Sequence, residues 1–246
     1  VKMIEAVEGL IIKETPYGES SKIINIITKE HGIIGVMCKG AKSMKSKLRA
    51  STMKLTYGMF NIYYKENKLS LLSSVDIINP FVNIKNDILK ISYASYLLEL
   101  TYQVLKQSND INIYEDLINA LIKIDNNLDP LIITNIIEVK YLDYLGVGLN
   151  LESCNVCNKK NNIVTLSLER GGLVCIDCYR GEELLDLRII KLLNMYYLVD
   201  IKSISTLKID SKLVDQINRF LSCYYEDYTG LYLKSKDFLK KLTTST

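Results

Sequence analysis

Hydrophobic and polar positions change rhythm once along the chain, near residue 80. Before it, apolar residues gather in short β-rich stretches, VEGLIIKE, KIINIIT, GIIGVMCK, MKLTYGMFNIYY and KLSLLSSVDII, separated by Gly, Pro, Asn or charged residues. Phe60, Ile62 and Tyr64 alternate with Asn61 and Tyr63, the period of a half-buried strand, while GIIGVM reads as a more buried one. Five short strands bury too little as a flat sheet. Rolling them up removes the edges and makes a core, so a small closed or partly open barrel, as in the OB-fold, is expected over 1–80.

After Asn79-Pro80, the residues Ile84, Ile88, Ile91, Tyr96, Leu97, Leu100 and Val104 recur at the three-to-four spacing of a long amphipathic helix. Further helices are expected over 112–125, 131–146, 183–199, 211–228 and 234–242, two of them opening on Asp129-Pro130 and Ser211. The segment 147–182 interrupts them with Gly, Asn and four cysteines and has no helical period. The expected fold is therefore α+β: a five-stranded barrel over 1–80, then an α-helical domain over 81–246 into which 147–182 is inserted.

Cys154-x2-Cys157 and Cys175-x2-Cys178 are separated by 17 residues, within the spacing of a zinc ribbon with four thiolate ligands. Two residues between thiolates let both sulfurs face one ion, and the intervening IVTLSLERGGLV supplies two short strands that bring the second turn opposite the first. With all four positions filled by sulfur, a single Zn2+ would be structural, worth on the order of 10 kcal/mol of local folding energy. Two disulfides and a thioredoxin-type redox motif are the competing readings; a cytoplasmic setting disfavours the first, and the second normally occurs once, beside a βαβ unit. Cys38 and Cys223, in an apolar strand and on a helical face, are expected in the core.

Charge divides the chain at the same place as periodicity. Of the net +3, the part through Pro80 carries +5, from 12 Lys and Arg against 7 Asp and Glu, and the remainder −2, from 19 against 21. No acidic residue lies between His31 and Lys65, whereas Lys39, Lys42, Lys45, Lys47, Arg49 and Lys54 crowd one stretch, CKGAKSMKSKLRASTMK. Its glycine and serines predict a flexible loop between the third and fourth strands, suited to sequence-independent phosphate contacts, and Tyr57, Phe60, Tyr63 and Tyr64 on the neighbouring strands could stack bases. The alternative is a solvated loop over an aromatic core. Six phosphate contacts would give a log–log salt slope of about −4 on single strands.

Several classes drop out. The sole histidine, His31, sits in an expected turn, so triads, His-x-Glu deaminase pairs and HExxH zincins have no candidate. Gly18-Glu19-Ser20-Ser21-Lys22 lacks the second glycine and the GK[ST] ending of a phosphate loop. No apolar run reaches membrane-span length, and Glu5 and Glu8 stand where a signal peptide would be apolar, so the expected compartment is the cytoplasm. The chain reads as a binding protein, not an enzyme.

Three blocks carry a resemblance to a known family. They are Tyr17-Gly18-Glu19-Ser20-Ser21-Lys22 with Thr28, Gly32 and Lys39-Gly40-Ala41-Lys42; the cysteine insertion with Leu145-Gly146 and Gly171-Gly172-Leu173-Val174-Cys175; and Leu231, Lys234-Ser235 and Phe238-Leu239. In this order and spacing they resemble the RecO family of bacterial recombination mediators. Departures are Lys42 where the family tends to have arginine, Leu149 where it often has proline, and Asn158 where glycine commonly follows the second cysteine.

The resemblance implies an N-terminal OB-fold, a C-terminal helical domain and a zinc module within it. It also implies binding of single- and double-stranded DNA, annealing of complementary strands, and a nucleoid-associated place in the bacterial cytoplasm. The implied partners are RecR and single-stranded DNA-binding protein, and through them RecA, which would be helped onto coated DNA. The expected DNA-binding residues are Lys39, Lys42, Lys45, Lys47, Arg49 and Lys54. A zinc-ribbon transcription or translation factor is the rival reading.

Overall fold

The structure is a computed structural model that describes residues 3–244. Strands β1 (Glu5–Tyr17), β2 (Ser21–Thr28) and β3 (Gly32–Cys38) form a meander. A four-residue helix, α1 (Leu48–Ser51), then leads into β4 (Tyr57–Tyr63) and β5 (Ser70–Asn79). The strands close into a barrel in the order β1-β2-β3-β5-β4, all neighbours antiparallel except the short β3–β5 pair that seals it. The architecture fits the OB-fold expected from the sequence.

Closure depends on where the small residues fall. Gly9 of β1 lies opposite Gly58 of β4, and a Cβ on Gly58 would sit 2.6 Å from the Asp76 carbonyl oxygen, one on Gly9 2.8 Å from that of Ile27. Backbones approach closely at this corner because no side chain separates them. Val7, Ile11, Ile24, Ile26, Val36, Phe60 and Ile62 fill the interior. Cys38 is buried there too, and burial pushes its thiol up to about 12.

Helices follow: α2 (Val82–Lys85), α3 (Ile88–Val104), α4 (Ile111–Asp125) and α5 (Pro130–Tyr144). Ile84, expected at the head of the long helix, belongs to the separate turn α2, whose preceding residue Phe81 is left-handed with φ 49°. Asp129 caps α5 by accepting the N–H groups of Leu131 at 2.8 Å and Ile132 at 3.3 Å, with Pro130 at the first helical position.

The chain then forms a three-stranded sheet of β6 (Asn150–Cys154), β7 (Ile163–Ser167) and β8 (Gly172–Cys175), ordered β6-β8-β7. It ends with α6 (Leu187–Leu198), α7 (Ser211–Tyr228) and α8 (Lys234–Thr244). The cap of α7 is Asp210, one residue before the Ser211 expected to open it. None of these helices is long and apolar enough to cross a membrane.

Contacts divide the chain into two compact units, neither continuous in sequence: one comprises the chain up to Ile91 with Asn109–Asp125, the other Ser92–Ser108 with the residues from Asn126 onward. In the first, α4 joins the barrel: Glu8 Oε1 accepts the hydroxyls of Tyr57 at 2.6 Å and Tyr114 at 3.1 Å. In the second, α5 is the central helix, with Ile133, Ile136, Ile137, Tyr141 and Leu142 all buried. Buried Glu138 on α5 accepts Lys236 Nζ of α8 at 2.9 Å and the Tyr96 hydroxyl. Glu99 receives the backbone N–H groups of Lys234 at 3.3 Å and Ser235 at 2.9 Å. The Lys234-Ser235 pair thus docks the final helix by capping it on a carboxylate.

Candidate metal centre and nucleic-acid interface

Parallel pairing of β6 with β8 makes both strands leave the small sheet at one end. Cys154 closes β6 and Cys175 closes β8, and the turns that follow carry Cys157 and Cys178. Each turn is held by its own backbone: Asn158 N–H donates to the Cys154 carbonyl at 2.8 Å, and Cys178 and Tyr179 N–H groups donate to the Cys175 carbonyl at 3.0 Å. Lys159 Nζ and Asp177 Oδ2, 2.6 Å apart, bridge one turn to the other. β6 is an addition to the two strands expected within the insertion.

The four sulfurs lie within 4.8 Å of one another, with Cys157 and Cys175 Sγ 3.6 Å apart. Thiolates at about 2.3 Å from a tetrahedral ion stand about 3.8 Å from each other, so the spacing fits. Burial would push the Cys154 thiol up, but backbone N–H groups of Cys175, Val156 and Cys157 bring it down to about 6. Hydrogen bonding with the Cys157 thiol, aided by burial, pushes Cys178 up to about 12. Thiols gathered around one point can give up their protons to a multivalent cation held there. These four residues could hold a metal ion.

Asn158 has φ 62°, the left-handed region that asparagine tolerates better than other non-glycine residues. The departure from glycine at this position is therefore accommodated without opening the turn. Cys223, expected in the core, is exposed on α7: its neighbours Leu221 and Tyr224 point inward and it does not. The helical period places position 223 on the outer side of the face they define.

On the barrel, the two ends of the first block of the resemblance meet. Lys42 N–H donates to the Ser20 carbonyl at 2.8 Å, Gly40 N–H to Ser21 Oγ at 3.2 Å, and Lys42 Nζ to the Gly18 carbonyl at 3.1 Å. The β1–β2 turn thus anchors the start of the basic segment, and buried Ala41 pins it to the core. Beyond it the chain is more ordered than a flexible loop: α1 places Leu48 against the barrel core, Thr52 and Leu55 are buried, and Leu55 N–H donates to the Ile11 carbonyl at 2.9 Å.

Lys39, Lys45, Lys47 and Arg49 are exposed, whereas Lys54 is half-buried, its backbone N–H on Glu14 Oε1 at 3.3 Å. Glu14 also pairs with Lys22 at 2.7 Å. An acidic side chain from β1 therefore enters a segment that has none in sequence.

The aromatics divide. Phe60 is wholly buried in the core and unavailable for stacking on a base; the period-two register of β4 turns it inward with Ile62. Tyr57 is committed to Glu8 and to a stacking contact with Phe81. Tyr64 stacks on His31 at 4.2 Å, and His31 Nε2 lies 2.6 Å from Glu5 Oε1, so His31 clamps its turn instead of merely occupying it. Tyr63 stays half-exposed on the outer face of β4.

A closed barrel bearing basic side chains, and a helical region carrying a four-cysteine module able to hold metal, define a two-part protein of the OB-fold-plus-metal-module class. Residues 3–81 match the family model described as Recombination protein O N terminal, and residues 85–237 the model Recombination protein O C terminal. The chain is 31% identical over 243 residues to DNA repair protein RecO of Listeria monocytogenes serotype 4a, covering 97% of this chain and 95% of that one. It is similarly 31% identical to its counterpart in Halalkalibacterium halodurans, covering 98% and 96%, and 32% identical to that of Bacillus cytotoxicus, covering 98% of each. The chain belongs to the RecO family. That membership supports a role in DNA repair and recombination.

Proposed function

We propose that this chain is a recombination mediator that binds single- and double-stranded DNA, anneals complementary strands and, with RecR, helps RecA onto DNA coated by single-stranded DNA-binding protein. The observation that carries the reading is the row of exposed cations Lys39, Lys45, Lys47 and Arg49 on a segment held to the barrel at Ala41, Leu48 and Leu55. Lys42 and Lys54 extend the row, with the Lys42 ammonium shared with the Gly18 carbonyl.

Two strands repel through their phosphates. A surface that neutralises one backbone while leaving its bases free lowers the repulsion felt by the second, without a bond being made or broken. The DNA-binding part is then residues 1–80, and residues 81–246, at net −2, form the protein-docking part. The ion in Cys154, Cys157, Cys175 and Cys178 is structural zinc, because four thiolates complete a tetrahedron and exclude a reacting water. The chain acts in the cytoplasm at the nucleoid.

The test is annealing of complementary strands pre-coated with the cognate single-stranded DNA-binding protein, with and without RecR. Annealing that RecR modulates is expected; no acceleration over the strands alone overturns the reading.

A further inference from the structure

Beside the cysteine module, the second unit contains a cavity of about 630 Å³ between the segment after β7, the segment after Cys178 and the outer face of α7. Phe220, Tyr224 and Tyr228 stack one per helical turn along α7, with centroids 5.9 and 4.3 Å apart. Two of the three rings have structural work. The Tyr224 hydroxyl donates to the Val147 carbonyl at 3.1 Å, and the Tyr228 hydroxyl to the carbonyls of Leu168 at 2.7 Å and Glu169 at 3.1 Å, fastening the module to α7.

Phe220 anchors nothing in this way: it is half-buried, lines the cavity and terminates the stack there. Leu166 and Leu185 add apolar wall. Arg219 is exposed and makes no hydrogen bond or ion pair among the described residues, while Glu169 and Glu183 place two carboxylates at the rim. The other cation–anion couple in the lining, Arg170 with Glu182 at 3.5 Å, is already paired.

We propose that this cavity receives one unstacked base of a single DNA strand, which extends the Phe220–Tyr224–Tyr228 stack by one ring. The idea rests on the DNA-binding reading above and adds a second contact to the basic segment. Every base has a flat face to stack, Arg219 meets the adjoining phosphate, and a rim carboxylate accepts the exocyclic amine of cytosine or adenine. The rim carboxylates have a partner in a base's exocyclic amine and none in an acidic peptide, the other occupant that arginines beside apolar walls would admit. Both segments facing α7 issue from the cysteine module, so a metal ion held by the four thiols would also shape the cavity.

The experiment compares Phe220→Ala with the unaltered full chain on oligodeoxycytidine and on an abasic strand of equal length, by fluorescence anisotropy across a salt series. Stacking predicts that the substitution weakens oligodeoxycytidine binding about 5- to 100-fold, leaves abasic binding unchanged and keeps the salt slope. Phe220→Tyr should restore the affinity, which separates lost stacking from lost folding. Equal affinity of Phe220→Ala and the unaltered chain for oligodeoxycytidine overturns the proposal, as does an acidic peptide whose binding needs Phe220 while DNA binding does not. If the unaltered chain binds neither strand, the DNA-binding reading itself fails; if it binds both equally through a steep salt slope, only the base pocket fails.

Discussion

Reversing Lys39, Lys45 and Lys47 to glutamate tests the basic segment with little risk to the fold. All three side chains are exposed, and none has a hydrogen bond or ion pair among the described residues, whereas Lys42 and Lys54 are tied into the barrel and are left in place. Six cations each neutralising one phosphate give a log–log salt slope of about −4 on single strands, at about −0.7 per contact. Removing three flattens the slope by about 2, to about −2, and the new carboxylates add repulsion that lowers affinity further. Fluorescence anisotropy of a short single strand, titrated at four or more salt concentrations, reads the slope directly. The thermal unfolding midpoint should stay where it was. A slope within about half a unit of the unaltered protein's would show that the phosphates lie elsewhere and refute the assignment.

Native mass spectrometry should find one zinc ion per chain; chelation or Cys157→Ser should lose it and expose the module's amides to rapid hydrogen exchange, and a metal-free native chain with all six thiols alkylated would rule the site out. Lys236→Ala leaves the Glu138 carboxyl without its cation in a site where that side chain is only 2% exposed, so stability should fall by about 3–5 kcal/mol in urea unfolding; a loss under about 1 kcal/mol would mean that the pair contributes little. Asn158→Ala should destabilise the cysteine module by about 1–2 kcal/mol and Asn158→Gly should be tolerated, because φ is 62° there; hydrogen exchange of the module with equal protection in the alanine variant would contradict this.

Much of the fold was legible because its signals were local. Alternation marked the barrel strands, Asp129-Pro130 marked a helix start, and two Cys-x2-Cys turns marked the four-cysteine module. What escaped depends on partners distant in sequence. Glu14 reaches the basic segment from β1, 40 residues before Lys54, and no window on that segment contains it. The anchoring of Lys42 by Gly18 crosses 24 residues, so two stretches far apart in the chain form one structure. Phe60 and Tyr57 carry the same stacking potential in sequence, but register on β4 sends one into the core and a carboxylate occupies the other. Helix α1 is too short to leave a period, and the cavity on α7 exists only because the cysteine module lies against one helical face.

The ion pair of Glu138 with Lys236 also sets an order of events during synthesis. Glu138 emerges 98 residues before the ammonium that meets it, and the helix that delivers this cation is also the one that Glu99 caps from 136 residues away. Until Lys236 leaves the ribosome, the second unit cannot close around α5 without burying an uncompensated carboxylate. The barrel strands, complete by Asn79, face no such wait. A nascent chain should therefore carry a folded barrel well before its helical part, and chains cut short of Lys236 should remain open and exposed to proteases.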